Sequence, residues 1–262
     1  MRNRLRSGPD PDFPYLTEQM RFSFPPPERS PEDIVAVGGN LSPGMLLSAY
    51  EQGIFPWFNF EDPIIWQSPN PRFVIFPEKL HISRSMQKVL RQQQFEVTLD
   101  RDFSGVIRGC AEIYRPGQSE QGPEETWITP DIIEAYTELH HLGWAHSAES
   151  YRNGKLAGGC YGLRLGRVFF GESMFARVPN ASKAAFLTLA ALLFADGTAF
   201  IDCQIPSDHL RRLGGEEIER KDFLALLKKT LKERTSPWAE PDIMDRRGNW
   251  GNGISNFQNT GF

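Results

Sequence analysis

Arg167-Val-Phe-Phe-Gly171-Glu172-Ser-Met-Phe-Ala-Arg177, then Asn180-Ala-Ser-Lys183, an apolar run to Phe194, and Phe200-Ile201-Asp202-Cys203-Gln204 together decide how this chain folds. Val168, Phe169 and Phe170 are β-branched or aromatic and stop at Gly171, which predicts a buried strand. Asn180 is a capping residue type, and the residues from Ala184 to Phe194 are apolar almost all the way round, as in a helix buried on several sides. Gly197 breaks that helix, and Ala199 to Gln204 reads as a second buried strand. Strand, crossover helix and strand predict a right-handed unit whose strands are adjacent or nearly so. Glu172, Asp202 and Gln204 interrupt or end these apolar runs. Alternation along a strand places Asp202 and Gln204 on one face and Ile201 and Cys203 on the other. Two readings of the polar trio stand: a reaction centre, or a buried ion pair or polar network that supports a loop.

A chain of 262 residues suffices for one large or two modest domains. Its 40% hydrophobic and 24% charged residues are ordinary for a soluble globular protein. The net charge of −4 gives no overall attraction to nucleic acid, so binding one would need a local basic patch. Cys110, Cys160 and Cys203 are odd in number, far apart and without metal-ligand spacing, which predicts reduced thiols in the cytoplasm. Arg2, Arg4 and Arg6 precede no apolar stretch, so no signal peptide is expected, and the run before Gly197 is too short to span a bilayer. No membrane partner is expected.

Upstream, residues 1–33 are rich in proline and predict an extended or irregular extension, with order beginning near Ile34. Ser42-Pro43 supplies an N-cap and a first-turn proline for a helix ending at Gly53, with Leu41 and Leu46 placed as a hydrophobic staple. Ile54-Phe55-Pro56-Trp57-Phe58 and Trp66 follow, more aromatics than so short a segment can bury. They either pack against the next domain or form a stacking platform for a nucleobase. From Arg72 a second domain is expected. Phe73–Phe76 reads as a strand. Ser83 begins a helix to about Gln92 with Arg84, Lys88 and Arg91 on one face and Met86, Val89 and Leu90 opposite. That basic stripe is either a phosphate track or an ordinary solvated face. A strand at 95–99, a helix at 103–113, a polar loop through Gly117 and Gly122, and a helix from Thr129-Pro130 to Gly143 come next. His140 and His141 lie in that helix's last turn, where they suit its dipole and need not be ligands.

Residues 145–172 predict an antiparallel meander turning at Asn153-Gly154 and at Leu165-Gly166. Gly158-Gly159 within it signals a bulge or a close backbone approach. Beyond the crossover unit, a short helix opens at Ser207-Asp208-His209, an amphipathic helix spans 221–231, and a mobile polar tail is expected after Thr235. Phosphate-loop, serine-elbow and zinc signatures are absent. Cys203 is a weak nucleophile candidate because strand alternation turns it away from Asp202. The glycine-rich pyrophosphate loop of acyl-coenzyme A acyltransferases is also missing before the crossover helix.

Gly38-Gly39-Asn40-Leu41-Ser42-Pro43, Tyr50, Gly53-Ile54-Phe55-Pro56-Trp57-Phe58 and Trp66-x-Ser68-Pro69 resemble the leucyl/phenylalanyl-tRNA–protein transferase family. So do Leu80 to Ser85, Thr126 to Thr129, Gly171-Glu172-Ser173-Met174-Phe175, and Ile201-Asp202-Cys203-Gln204 with Asp208-His209, all in the family's order. The resemblance spans Val37 to about Leu231. It implies an α+β protein: a small N-terminal α/β domain, here 34–71, then an acetyltransferase-like (GNAT) domain with a mixed sheet, here 72–234; it does not cover the proline-rich extension 1–33 or the tail 235–262. It implies transfer of leucine or phenylalanine from leucyl- or phenylalanyl-tRNA to proteins with N-terminal arginine or lysine, marking them for degradation, with no cofactor and no metal.

By the same resemblance Asp202 and Gln204 orient the reactants and relay the proton, with the tRNA 2′-hydroxyl a further participant, and Glu172 lies near the basic N-terminus. Trp57 and Trp127 hold the terminal adenosine, with Tyr50 and Tyr136 nearby. Cys160, Phe169, Met174, Phe186 and Ile201 form the amino-acid pocket. The chemistry suits such residues, since an aminoacyl ester is already activated and an α-amino group has a pKa of about 8. Two other functions fit the sequence less well: acyl-coenzyme A-dependent N-acetylation on the same fold, and non-catalytic binding of tRNA ends or protein N-termini.

Overall fold

The computed structural model describes residues 7–112 and 126–232, and in it the crossover unit occupies the middle of a seven-stranded mixed sheet. The polar loop expected through Gly117 and Gly122 and the tail expected after Thr235 lie outside the described residues. In chain order, β1 (Ile34–Val37), α1 (Pro43–Glu51), β2 (Phe55–Pro56) and β3 (Ile65–Gln67) make a small domain, its antiparallel sheet ordered β1-β3-β2. Then come β4 (Arg72–Ile75), α2 (Arg84–Arg91), β5 (Glu96–Leu99), α3 (Phe103–Glu112), α4 (Pro130–His141), β6 (Ala145–Arg152), β7 (Lys155–Leu165) and β8 (Val168–Ala176). The described residues continue with α5 (Ala181–Ala195), β9 (Phe200–Gln204), α6 (Asp208–Arg212), β10 (Glu216–Ile218) and α7 (Arg220–Thr230). The large sheet runs β10-β4-β9-β8-β7-β6-β5, and its one parallel pair is β8 with β9, joined across α5. This is the α+β arrangement of small domain and large mixed sheet that the sequence predicts.

Two apolar layers sandwich the sheet. Helices α1, α3, α4 and α7 contribute Leu46, Tyr50, Val106, Ile132, Tyr136, Phe223 and their neighbours to one core. Helices α2 and α5 contribute Met86, Val89, Ala184, Phe186, Leu189 and others to the second. All but one residue of α1 are buried, so the small domain is packed into the first core rather than appended to it. Gly158 and Gly159 meet the close-approach expectation: a Cβ on Gly158 would lie 2.7 Å from the Ala181 side chain, and one on Gly159 2.8 Å from the Ala148 carbonyl oxygen.

Several local expectations are corrected. The strand begun at Val168 does not stop at Gly171 but runs to Ala176, because the polar residues beyond Gly171 lie over a cavity while the backbone keeps pairing with β7. Asn180 precedes α5 in a left-handed conformation (φ 71°), and its side chain caps nothing. Ser42 does not cap α1 either; its hydroxyl accepts from the Leu16 N–H and donates to the Asn40 side chain. Order does not wait for Ile34. Residues 7–33 are irregular apart from one 3-10 turn at Pro27–Arg29, yet Phe24 is buried, its ring 5.0 Å from that of Trp66, and Phe13, Leu16 and Phe22 pack on the first core. Isolated aromatics between prolines can pack without any periodic pattern. Strand β10, too short and polar to be read from sequence, closes the sheet beyond β4.

Candidate active site

The parallel pairing of β8 with β9 lasts only from Val168–Phe200 to Phe170–Asp202, and beyond it the two strands part. A cavity of about 300 Å³ lies where they diverge, lined by residues of β7, β8, α5, β9 and α6. Glu172 stands at that fork. On the β7 side, Tyr161 pairs with Ser173 and Gly162 with Gly171, so Glu172 is the extra residue of a bulge. Bulges re-aim a side chain and recur beside active sites. Gly162 makes this one possible, because a Cβ there would lie 2.1 Å from the Phe170 carbonyl oxygen.

Three elements converge on the Glu172 carboxylate. Tyr50 of α1 donates to Oε1 at 2.7 Å, Gln204 Nε2 of β9 donates to the same oxygen at 2.7 Å, and the Tyr136 hydroxyl of α4 lies 3.3 Å from Oε2. The two tyrosine oxygens are 2.5 Å apart. Burial pushes the Glu172 carboxyl up to about 7 despite these donors, with the Asp202 charge adding to the rise. Burial and the nearby carboxylate raise both tyrosines well above their ordinary value, so they remain O–H donors. A carboxyl poised near neutrality in a cavity can take and release a proton.

Asp202 is placed differently. It is fully buried and accepts two hydrogen bonds from Arg72, Nε to Oδ1 at 2.9 Å and Nη2 to Oδ2 at 2.6 Å. Oδ1 also accepts the Gln204 N–H at 3.0 Å. Asp202 is not among the residues that line the cavity, whereas Gln204 and Glu172 are. The polar trio therefore divides into a buried ion pair at Asp202 and a cavity-facing pair at Gln204 and Glu172.

Cys160, Phe169, Met174 and Phe186 line the cavity, together with Cys203, Ser207, His209 and Leu210. Ile201 is fully buried in the second core with Phe169 and Phe186 and does not line it. Burial raises the thiols of Cys160 and Cys203, which disfavours either as a nucleophile. His209, which sequence reading left without a role, has Nε2 buried without a hydrogen-bond partner, and burial with Lys183 and Arg212 nearby lowers its pKa. Among the described residues no three His, Cys, Asp or Glu are grouped to hold a metal, and no described helix is long and apolar enough to cross a membrane.

The aromatics after Gly53 divide. Phe55, Phe58 and Trp66 are buried in the first core, as packing against the next domain requires, while Trp57 stays 40% exposed. Trp127 is half-buried at the edge of that core. Tyr50 and Tyr136 are fully buried, their hydroxyls bonded to Glu172 and each other and their rings packed on Phe170 and Tyr161. Arg84, Lys88 and Arg91 are all exposed on α2, whose opposite face buries Met86 and Val89. Ser83 caps that helix through the Met86 N–H, Thr129 caps α4 through the Ile132 N–H, and Ser207 accepts from Leu210 N–H at the start of α6.

Family models for leucyl/phenylalanyl-tRNA protein transferase and for its N-terminal domain match residues 74–228 and 39–70. The leucyl/phenylalanyl-tRNA–protein transferase of Myxococcus xanthus (strain DK1622) is 48% identical over 241 residues, which cover 92% of this chain and 97% of that protein. Namesakes from Syntrophus aciditrophicus and Pseudomonas fluorescens are each 50% identical, covering 87% and 83% of this chain and 89% and 95% of their own lengths. A solved GCN5-related N-acetyltransferase from Kribbella flavida overlaps 67% of this chain and 61% of its own at 13% identity, with a TM-score of 0.30 that is too low to place the fold.

Proposed function

Because this chain belongs to the leucyl/phenylalanyl-tRNA–protein transferase family, we propose that it moves leucine or phenylalanine from aminoacyl-tRNA to proteins beginning with arginine or lysine. Such transfer would mark the acceptors for degradation in the cytoplasm, where the reduced thiols of Cys110, Cys160 and Cys203 are at home. Residues 34–71 act as the small domain that offers Trp57, and residues 72–234 as the transferase domain. Trp57 and Trp127 stack on the terminal adenosine, Arg84, Lys88 and Arg91 meet tRNA phosphates, and Cys160, Phe169, Met174 and Phe186 receive the apolar side chain. Ile201 supports that pocket from within the core.

One observation carries the mechanism: the carboxyl of Glu172, raised to about 7, stands in the cavity beside the Gln204 amide. The neutral α-amine of the acceptor attacks the ester carbonyl carbon, the new C–N bond forms, and the bond to the ribose 3′-oxygen breaks. Glu172 takes the proton that the amine sheds, and the departing oxygen acquires one, either from Glu172 or through the neighbouring 2′-hydroxyl. Gln204 orients the carboxylate, and Asp202 holds Gln204. The anionic carboxylate also attracts a basic acceptor residue.

The test is transfer of labelled leucine from leucyl-tRNA to a peptide that begins with arginine, alongside one that begins with glycine. Label in the arginine peptide alone is expected, with transfer lowered by ~10²–10⁴-fold in Glu172→Gln. Donor binding without transfer, or transfer from acetyl-coenzyme A only, would overturn the reading.

A further inference from the structure

We propose that Arg72, at the start of β4, is a positioning residue for transfer, acting through Asp202 on the Gln204–Glu172 pair. The proposal rests on the function proposed above. Arg72 is fully buried, and all three of its guanidinium nitrogens are used: two on Asp202 and Nη1 on the Gly53 carbonyl oxygen at 3.2 Å. Its faces are covered by the rings of Phe55 and Phe223, at 4.8 and 4.5 Å from the guanidinium carbon. Such a group has no freedom left, and neither has the carboxylate it grips.

What that grip controls is the end of β9. Opposite β4, Phe73 pairs with Gln204 and Val74 with Asp202, so Cys203 bulges out and Gln204 takes a left-handed conformation, φ 59°. A residue with a side chain rarely adopts that conformation unless its surroundings impose it. The tie present is Asp202 Oδ1 on the Gln204 N–H, 3.0 Å, and from this turn Gln204 Nε2 reaches Glu172 at 2.7 Å. The sequence of contacts is therefore Arg72, Asp202, Gln204, Glu172. Lysine keeps the charge at the first link but, as a single nitrogen, cannot hold both carboxylate oxygens and the Gly53 carbonyl in one plane.

The measurement is the single-turnover transfer rate at saturating leucyl-tRNA and arginine peptide, with a melting curve and the leucyl-tRNA Kd for each variant. Arg72→Lys should bind leucyl-tRNA within about threefold of wild type but transfer up to about 10²-fold more slowly, the scale of a misplaced reacting group. In a Gln204→Ala background the same change should add almost nothing, since the amide being positioned is gone. A wild-type rate in the folded fraction of Arg72→Lys, or rate losses that multiply in the double variant, would overturn the proposal. If Arg72→Lys does not fold, Asp202→Glu carries the test. It keeps both charges but moves the carboxylate by one methylene from the Gln204 N–H, and a wild-type rate there refutes the relay. A wild-type protein that transfers nothing would instead sink the underlying function.

Discussion

Tyr50→Phe removes the shorter of the two tyrosine donors to Glu172, at 2.7 Å against 3.3 Å for Tyr136, and leaves Gln204 in place. The hydroxyl stabilises the ionised carboxylate, so its loss must raise the pKa further. Hydrogen bonds to charged groups contribute about 1.5–3 kcal/mol, and one pKa unit corresponds to about 1.36 kcal/mol. A carboxyl at about 7 should therefore climb roughly 1–2 units. At pH 7.5 the ionised fraction would fall from about three quarters to about a tenth. The acceptor amine, with a pKa of about 8, must also be neutral. The logarithm of the single-turnover rate should thus rise with slope one just below pH ~8 and with slope two below the Glu172 pKa. Tyr50→Phe should carry the slope-two region up to pH ~8, where the amine becomes the lower pKa, and prolong slope one to pH ~8–9; Tyr136→Phe should shift it less, its contact being longer. A Tyr50→Phe profile that overlays wild type, in protein whose melting curve shows it folded, would mean the amine alone sets the pH dependence and that Glu172 accepts no proton.

Asp202→Asn should lower both stability and turnover. It strips the counter-charge from a guanidinium with no exposure, a loss of about 3–5 kcal/mol in comparable pairs, and loosens Gln204; a destabilised variant that still transfers normally would leave Asp202 a purely structural role. Reversing Arg84, Lys88 and Arg91 to glutamate should weaken tRNA binding and flatten its salt dependence by about 2–3 in the log–log slope, and an unchanged slope retires the phosphate track. Trp57→Ala or Trp127→Ala should each cost about 1–3 kcal/mol of donor binding, read as leucyl-tRNA Kd by filter retention, with little change in the rate at saturation.

What the sequence reveals, and what it hides, follows from the range of each interaction. The crossover unit is legible because its signals are local: β-branched and aromatic runs, a helix apolar on all sides, and glycine at the break. Ser83, Thr129 and Ser207 bond helix N–H groups within three residues of themselves, and all three are readable. Ser42 looks the same on paper but is taken by Leu16, 26 residues away, which no local pattern foretells. Glu172 was visible as a carboxylate ending an apolar run, but not its two tyrosines, which lie 122 and 36 residues away in sequence. Arg72 left only a faint trace, a lone charge heading the apolar strand Phe73-Val74-Ile75. Its burial depends on Phe55, Phe223 and Asp202, and only the assembled sheet brings those together.

The three-way convergence on Glu172 also has a meaning for the protein's own synthesis. Tyr50 emerges early, Tyr136 midway, and Glu172 and Gln204 late, and Phe223, which covers one face of Arg72, comes near the end of the described chain. No fragment ending before β9 contains the complete set of partners, however well its helices have formed. Competence to react therefore arrives in a single step with the closing of the large sheet, and a partly made or locally opened chain is silent. Loss of transfer on mild heating should accordingly track global unfolding of the sheet, so that catalysis itself reports whether the molecule is whole.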